Sequence, residues 1–407
     1  MSGVVIVGGG HAGYQCADSL RRAGFEDSIT LVDGEGHLPY QRPPLSKSHL
    51  LNATGEDALL FRTQAYYDDH RIDLKLGHRV ESINRTEKQV TLDNSETLAY
   101  DKLVIATGAK LRQLDIPGST LNGVGYIKSL DDIRYIQSHL NQTEEAVIIG
   151  GGFIALEFAA TAAKLGKKVT VLVRGQRILA NAVTPELSQY MLDIHHQHGV
   201  DIRFAAEVDH IADDGNGNVE AVRLKDGTLL PAQLVLAGIG VTADTELAVG
   251  ARLQCHDGVV VDAQCRTNDP DIFAAGDSAR YDNPFSGTEI RLESVQNAVD
   301  QAKVIAQVIA GQEAEYHSVP WFWSDQYDIK LQMVGIHDGY THFYQRGERE
   351  EDKFSLFFFR DDRLIAIHTV NRPADHMAGR KLITAGVSPT QEQIEDAGFK
   401  LNSLLKK

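Results

Sequence analysis

The sequence predicts an α/β chain: two dinucleotide-binding, Rossmann-like units followed by a C-terminal α+β domain. Two observations carry this. A glycine-rich strand–turn–helix pattern opens the chain and recurs near its middle, and beyond about Tyr316 the sequence becomes aromatic, strand-like and rich in turns.

The first pattern starts at Val4-Val5-Ile6-Val7, an apolar run rich in β-branched residues that leads into G-x-G-x-x-G at Gly8, Gly10 and Gly13. A helical segment follows, with Ala17, Leu20 and Ala23 on its apolar face and Gly24 placed to stop it. A second strand, Ile29-Thr30-Leu31-Val32, closes on Asp33. In such a unit the first glycine makes a tight turn, the second admits a pyrophosphate to the backbone, and the third lets helix and strand pack closely. The helix start offers free N–H groups and the positive end of its dipole to the phosphates, and Asp33 offers an acceptor to a ribose hydroxyl.

At 407 residues the chain can hold about two to three domains with separate cores. Hydrophobic residues at 43% and charged residues at 24% are ordinary for a soluble globular protein. A formal net charge of −16 argues against nucleic acid or anionic membrane as a non-specific partner, though a local basic patch can still meet an acidic one. Three scattered cysteines, Cys16, Cys255 and Cys265, disfavour a disulfide framework, a zinc site or a dithiol centre. No basic leader or membrane-length apolar run is present, so the expected location is the reduced cytoplasm.

After Asp33, the proline-rich stretch Leu38-Pro39-Tyr40-Gln41-Arg42-Pro43-Pro44-Leu45-Ser46-Lys47 predicts an extended connection, with Ser46 positioned to cap a following helix. Arg42 and Lys47 lie there beside the phosphate turn. Residues 79–84 and 89–92 predict a hairpin, and Leu103-Val104-Ile105-Ala106 a buried strand ending in Thr107-Gly108. The loop-like Pro117-Gly118 suggests a domain crossing.

The repeat follows: Ala146-Val147-Ile148-Ile149, then Gly150, Gly152 and Ala155 in the glycine positions, an alanine-rich helix to Leu165, and a strand from Lys168 that ends at Arg174. Two nucleotide units in one chain imply two nucleotides and electron traffic between them. Residues 185–198 predict a helix, and turns at Asp213-Asp214-Gly215 and Asp226-Gly227 a further hairpin region. His195, His196 and His198 lack carboxylate or cysteine partners at ligand spacing and read as exposed helix residues. Ile272-Phe273-Ala274-Ala275-Gly276-Asp277 predicts a buried strand whose terminal Asp277 can accept from sugar or ribityl hydroxyls. A helix is expected over 293–310. Pro320-Trp321-Phe322-Trp323-Ser324-Asp325-Gln326-Tyr327 reads as domain-interface core. Strands over 354–359 and 364–370, a helix near 374–385 and an ordinary Lys406-Lys407 end complete the chain.

The two nucleotide units, R-P-P-L-S-K, A-A-G-D and W-F-W-S-D-Q together resemble the FAD-dependent reductases that feed electrons to the [2Fe-2S] ferredoxins of oxygenase systems such as cytochromes P450. Leu292-Glu293-Ser294-Val295-Gln296-Asn297-Ala298 is also close to that family. The resemblance spans essentially the whole chain and implies a fold of the glutathione-reductase type: an FAD domain of residues 1–110 and 242–316, an NAD(P) domain of 111–241, and a C-terminal domain of 317–407. It implies that Gly8, Gly10, Gly13, Asp33, Arg42, Lys47, Thr107, Gly108, Asp277 and Val295 hold FAD. Gly150, Gly152 and Ala155 would hold NAD(P)H. Lys47 would lie near the flavin N5 and pair with Glu157, and Trp323 would lie beside the ring. The ferredoxin would dock over the seam near Trp323 and Lys330.

Two departures from related reductases stand out. Thiol-using relatives place a cysteine in the loop that here reads Gln41-Arg42-Pro43-Pro44, so disulfide reductase, peroxidase and oxidase chemistry are disfavoured. Rubredoxin reduction and a redox-dependent interaction role, as in relatives of apoptosis-inducing factor, stay open. The second nucleotide strand ends in Arg174-Gly175-Gln176-Arg177 rather than an acid, and Ala155 replaces the third glycine, as in NADPH-using glutathione reductases. Arg174 and Arg177 therefore predict that NADPH is a competent donor.

Overall fold

The protein is described by a computed structural model covering residues 3–405. The Lys406-Lys407 end lies outside the described residues. The opening strand, Gly3–Val7, is buried along its whole length because every side chain is apolar or absent and both faces are covered. It lies between Ile29–Asp33 and Thr97–Ile105, parallel to both. Ile72–Leu76 extends the sheet on one side. On the other side Ile272–Ala274, from late in the chain, joins Thr97–Ile105 in parallel. The expected hairpin is Val80–Asn84 with Gln89–Leu92. The helices His11–Arg22 and Val295–Ile309 pack on each other over this sheet.

The second unit repeats the plan. Its sheet runs Asp201–Arg203, Lys168–Leu172, Glu145–Ile149, Leu234–Ala237, Val124–Gly125, all parallel, with the helix Phe153–Lys164 packed against it. The three-stranded hairpin region sits beside it as Val208–Asp213, Val219–Leu224 and Leu229–Pro231. Between the two units the chain crosses twice, as the antiparallel strands Ala109–Leu111 and Val241–Ala243. Pro117-Gly118 does not mark the crossing: the Pro117 carbonyl accepts from the Ile211 N–H, inside the second unit.

The C-terminal sheet is antiparallel in the order Trp321–Gln326, Ile329–Gly335, Arg363–Val370, Lys353–Arg360, His342–Glu348, backed by the helix Pro373–Ala385. One apolar core, including Phe158, Met191, Leu331, Phe354 and Phe358, runs continuously from the second unit into this sheet.

Three further expectations are corrected. Ser46 caps no helix, because residues 43–51 form consecutive turns; it is buried, and its hydroxyl donates to Glu157. His195 is fully buried rather than exposed, because its helix, Pro185–Gln197, turns it toward the C-terminal strand. Trp321, Phe322 and Trp323 are only half-buried, since all three line the central cleft instead of a closed core, although Phe322 also packs on Phe153 of the second unit.

Candidate active site

A single cleft of about 1970 Å³ runs across the carboxyl ends of both parallel sheets and is faced by the C-terminal domain. Gly8, Gly10, Asp33, Arg42, Lys47, Thr107, Gly108, Asp277 and Val295 line one arm; Gly150, Gly152, Ala155, Arg174 and Arg177 line the other. Glu157 and Trp323 line it as well. Gly13 is absent from its wall, because it lies underneath, where an added Cβ would overlap the Gly8 carbonyl oxygen.

The two turns are built for close approach. Gly8 adopts φ +109° and Gly150 φ +130°, conformations that only glycine takes cheaply. A side chain at Gly10 would reach only the Arg42 Nε, 4.0 Å away, and one at Gly152 would meet nothing within 4 Å. Both helix starts therefore face open space with free N–H groups, as a pyrophosphate requires. The methyl of Ala155, in the third position of the second turn, is accommodated by Gly238 opposite, where an added Cβ would come within 2.9 Å of it.

Asp277 follows the buried strand Ile272–Ala274 and presents its carboxylate to the cleft. Desolvation pushes that carboxyl from 3.8 up to about 6, with Glu293 adding to the rise and Arg291, Lys128 and Arg42 opposing it. Among the described residues no donor hydrogen-bonds to it; Arg291 uses the Asp277 backbone carbonyl instead. A deep carboxylate lacking donors and aimed into a cleft suits a ligand rich in hydroxyls, as FAD is.

Arg42 stands over the first turn, held by Glu35 at 2.7 Å and by the Lys128 carbonyl at 2.6 Å. Lys128 carried no signal in the sequence. Its ammonium donates to the Ala109 carbonyl, and burial holds its pKa below the ordinary lysine value. Thr107 donates to the Asp244 carbonyl at 2.8 Å, tying together the two interdomain crossings.

Where the arms meet, Lys47 Nζ lies 2.8 Å from Glu157 Oε2, with Glu157 2% exposed. Two hydroxyls share this carboxylate: Ser46 donates to Oε2 at 2.6 Å and Ser324 to Oε1 at 2.7 Å. Two of the donors come from the turn at 43–51 and the third from the strand Trp321–Gln326, while the acceptor stands on the helix Phe153–Lys164 of the second unit. The sequence marks Ser46 only as a helix cap and gives Ser324 no role of its own, although each lies within a recognised motif.

The arginines of the second arm separate. Arg177 spends its guanidinium on two backbone carbonyls, Val183 at 2.7 Å and Ala180 at 2.5 Å, and so fixes its own loop. Arg174 stays exposed at the cleft wall, with Glu207 as a charged neighbour. Cys16 and Cys265 are sealed in the first core, where burial pushes the Cys16 thiol up to about 12 and the Cys265 thiol up as well.

Residues 2–302 match the pyridine nucleotide-disulphide oxidoreductase family and residues 321–405 the reductase C-terminal family. The chain is 42% identical to rhodocoxin reductase of Rhodococcus erythropolis, over 98% of this chain and 93% of that protein. It superposes on the crystal structure of the ferredoxin reductase for the CYP199A2 system from Rhodopseudomonas palustris with a TM-score of 0.95, at 41% identity, covering 99% of both chains. It matches the reductase in the covalent putidaredoxin reductase–putidaredoxin complex equally well, with a TM-score of 0.95, at 38% identity, covering 99% of this chain and 98% of that one. No helix among the described residues is long and apolar enough to cross a membrane. With two nucleotide turns opening on one cleft and this likeness along its whole length, the chain belongs to the pyridine nucleotide-disulphide oxidoreductases, in their branch of FAD-dependent ferredoxin reductases.

Proposed function

We infer that the protein carries electrons from NAD(P)H through bound FAD to a [2Fe-2S] ferredoxin that supplies an oxygenase such as a cytochrome P450. One observation carries this most: the Lys47–Glu157 pair joins the two nucleotide units in the cleft that Trp323 also lines. FAD supplies the conversion of two-electron hydride chemistry into single-electron transfer. The rest is positioning by the protein. Gly8, Gly10 and Gly13 shape the FAD pyrophosphate seat, Arg42 covers it, and Asp33 and Asp277 accept from hydroxyls. Thr107, Gly108 and Val295 complete that wall. Gly150, Gly152 and Ala155 seat the nicotinamide nucleotide, and Arg174 rather than Arg177 is the residue free to meet a 2′-phosphate. Lys47 keeps a positive charge at the floor, balanced by Glu157, and the flat face of Trp323 excludes water.

Residues 1–110 with 242–316 form the FAD domain in this reading, 111–241 the NAD(P) domain and 317–407 the C-terminal domain. The first sheet's recruitment of Ile272–Ala274 and the paired crossings at 109–111 and 241–243 support those limits. A cytoplasmic location accords with three free cysteines.

The test is steady-state reduction of a panel of [2Fe-2S] ferredoxins and rubredoxins with NADH and with NADPH. Faster turnover of ferredoxins supports the reading. Preference for rubredoxin would reassign the acceptor, and slow reduction with a long-lived charge-transfer complex would favour an interaction protein.

A further inference from the structure

A line of buried polar side chains leads away from Glu157 through the junction of the second unit and the C-terminal domain. The Gln326 amide nitrogen donates to Ser324 Oγ at 3.0 Å, and the Gln326 oxygen lies 2.8 Å from His195 Nε2. His195 Nδ1 lies 3.1 Å from the Tyr327 hydroxyl. Ser324 and His195 are 0% exposed, Gln326 1% and Glu157 2%, so water cannot replace a missing link.

The chemistry of each group fixes the direction of the next bond. A carboxylate only accepts, so Ser324 must donate to Glu157 Oε1, and its oxygen then accepts from the Gln326 amide. That turns the Gln326 oxygen toward His195, which must carry its proton on Nε2 and leave Nδ1 to accept from Tyr327. Every donor therefore points toward Glu157. Burial is the main cause that holds the His195 pKa down, to about 4, with His198 and His196 acting the same way and the Gln326 bond opposing. At the outer end Tyr327 stacks on His198 at 3.7 Å, and its carbonyl accepts from Lys164, which also faces Asp328 at 3.6 Å.

We propose that His195 is a positioning residue for Lys47: by fixing the orientation of Gln326, and through it that of Ser324, it keeps Glu157 immobile and the Lys47 ammonium in place on the cleft floor. Without the His195 donor the Gln326 amide is free to turn over. Ser324 would then donate to the Gln326 oxygen, and Glu157 Oε1 would lose its partner. The carboxylate could rotate and take Lys47 with it. The inference rests on the reading that places Lys47 beside the flavin.

The test compares the FAD-loaded wild type with His195→Phe, His195→Gln, Ser324→Ala and the double variant His195→Phe/Ser324→Ala. Flavin reduction by saturating nicotinamide nucleotide is followed in anaerobic stopped flow, and ¹⁵N-histidine NMR reads the tautomer. The wild type should show His195 as the neutral Nε2–H form from pH 5.5 to 8. His195→Phe and Ser324→Ala should each keep their FAD yet slow reduction about tenfold, and the double variant should lose no more than either, as members of one chain do. His195→Gln, which offers an N–H near the position of Nε2, should recover most of the rate. Wild-type reduction in His195→Phe, additive losses in the double variant or no recovery in His195→Gln would overturn the proposal. So would an Nδ1–H or charged His195. If His195→Phe does not fold, Ser324→Ala and the tautomer decide. The rate of flavin reduction and the flavin absorbance spectrum of Lys47→Ala test the Lys47 reading separately, and the tautomer does not depend on it.

Discussion

Asp277 joins function and stability in one side chain. Its carboxyl titrates near 6 in the folded protein against an ordinary 3.8, chiefly through desolvation. The folded state thus binds this proton more tightly than the unfolded one. Its contribution to stability is full below pH 3.8 and is lost as the pH rises to about 6. Asp277→Asn should raise the melting temperature of the FAD-free protein at pH 8 and leave it nearly unchanged near pH 3.8, as differential scanning fluorimetry would show. Asp277→Ala should weaken FAD retention about ten- to a hundredfold, since a charged acceptor is worth roughly 1.5–3 kcal/mol; full flavin absorbance after dialysis would contradict the assignment. Arg174 is decided on the same scale. Arg174→Ala should lower kcat/KM for NADPH about ten- to a hundredfold while sparing NADH. Arg177→Ala, which frees the Val183 and Ala180 carbonyls, should lower both alike. A wild type that strongly prefers NADH would show that Arg174 is only a solvated surface charge.

The two nucleotide turns solve the helix–strand approach differently. In the first, Gly13 gives way to the Gly8 carbonyl. In the second, Ala155 occupies the equivalent place and Gly238, at the end of the strand Leu234–Ala237, gives way instead. Gly238 takes no positive φ, so an alanine there meets a crowding problem alone. Gly238→Ala should destabilise the protein by about 1–3 kcal/mol through overpacking, and adding Ala155→Gly should restore part of that in urea unfolding. Equal loss in the single and double variants would show that the crowding comes from elsewhere.

Taken whole, the molecule carries a charge of −16, which opposes an acidic partner at long range. One edge of the C-terminal domain departs from this. The Arg380 guanidinium lies 4.9 Å above the Trp321 ring; His376, which packs edge-on against the same ring, has its pKa depressed chiefly by burial, with Arg380 and Lys330 adding to the fall. Trp323 lies 5.6 Å from Trp321 and lines the cleft. In the proposed docking over the seam, Arg380 and Lys330 are the cations that would meet an acidic ferredoxin. Lys330→Glu with Arg380→Glu should raise KM for the ferredoxin about tenfold at low salt with FAD content unchanged, and the wild-type KM should itself rise with ionic strength. A KM indifferent to salt would remove the electrostatic part of this docking.

Much of this was legible in the residues because it is local in the chain. Gly8, Gly10 and Gly13 with the flanking apolar strand, and the same pattern again from Ala146, specify turn, strand and helix by short-range sterics, so both nucleotide units could be read without any tertiary contact. Asp33, at the end of the first unit, and Asp277, after the separate buried strand Ile272–Ala274, are legible in equally local strand patterns. What the sequence could not show was which distant groups share a buried neighbour. Ser46, Ser324 and His195 lie far apart in the chain, and their hydroxyl or imidazole chemistry suits a cap, a turn or a surface equally well. Only the packing of the turn at 43–51, the helix Pro185–Gln197 and the strand Trp321–Gln326 around Glu157 removes water from them and obliges each to find a partner. In the same way two arginines spaced alike in sequence became one loop anchor and one open cation, because backbone carbonyls at Ala180 and Val183 come within reach of Arg177 alone. Local pattern set the two turns, and burial at the meeting of three domains set what faces them.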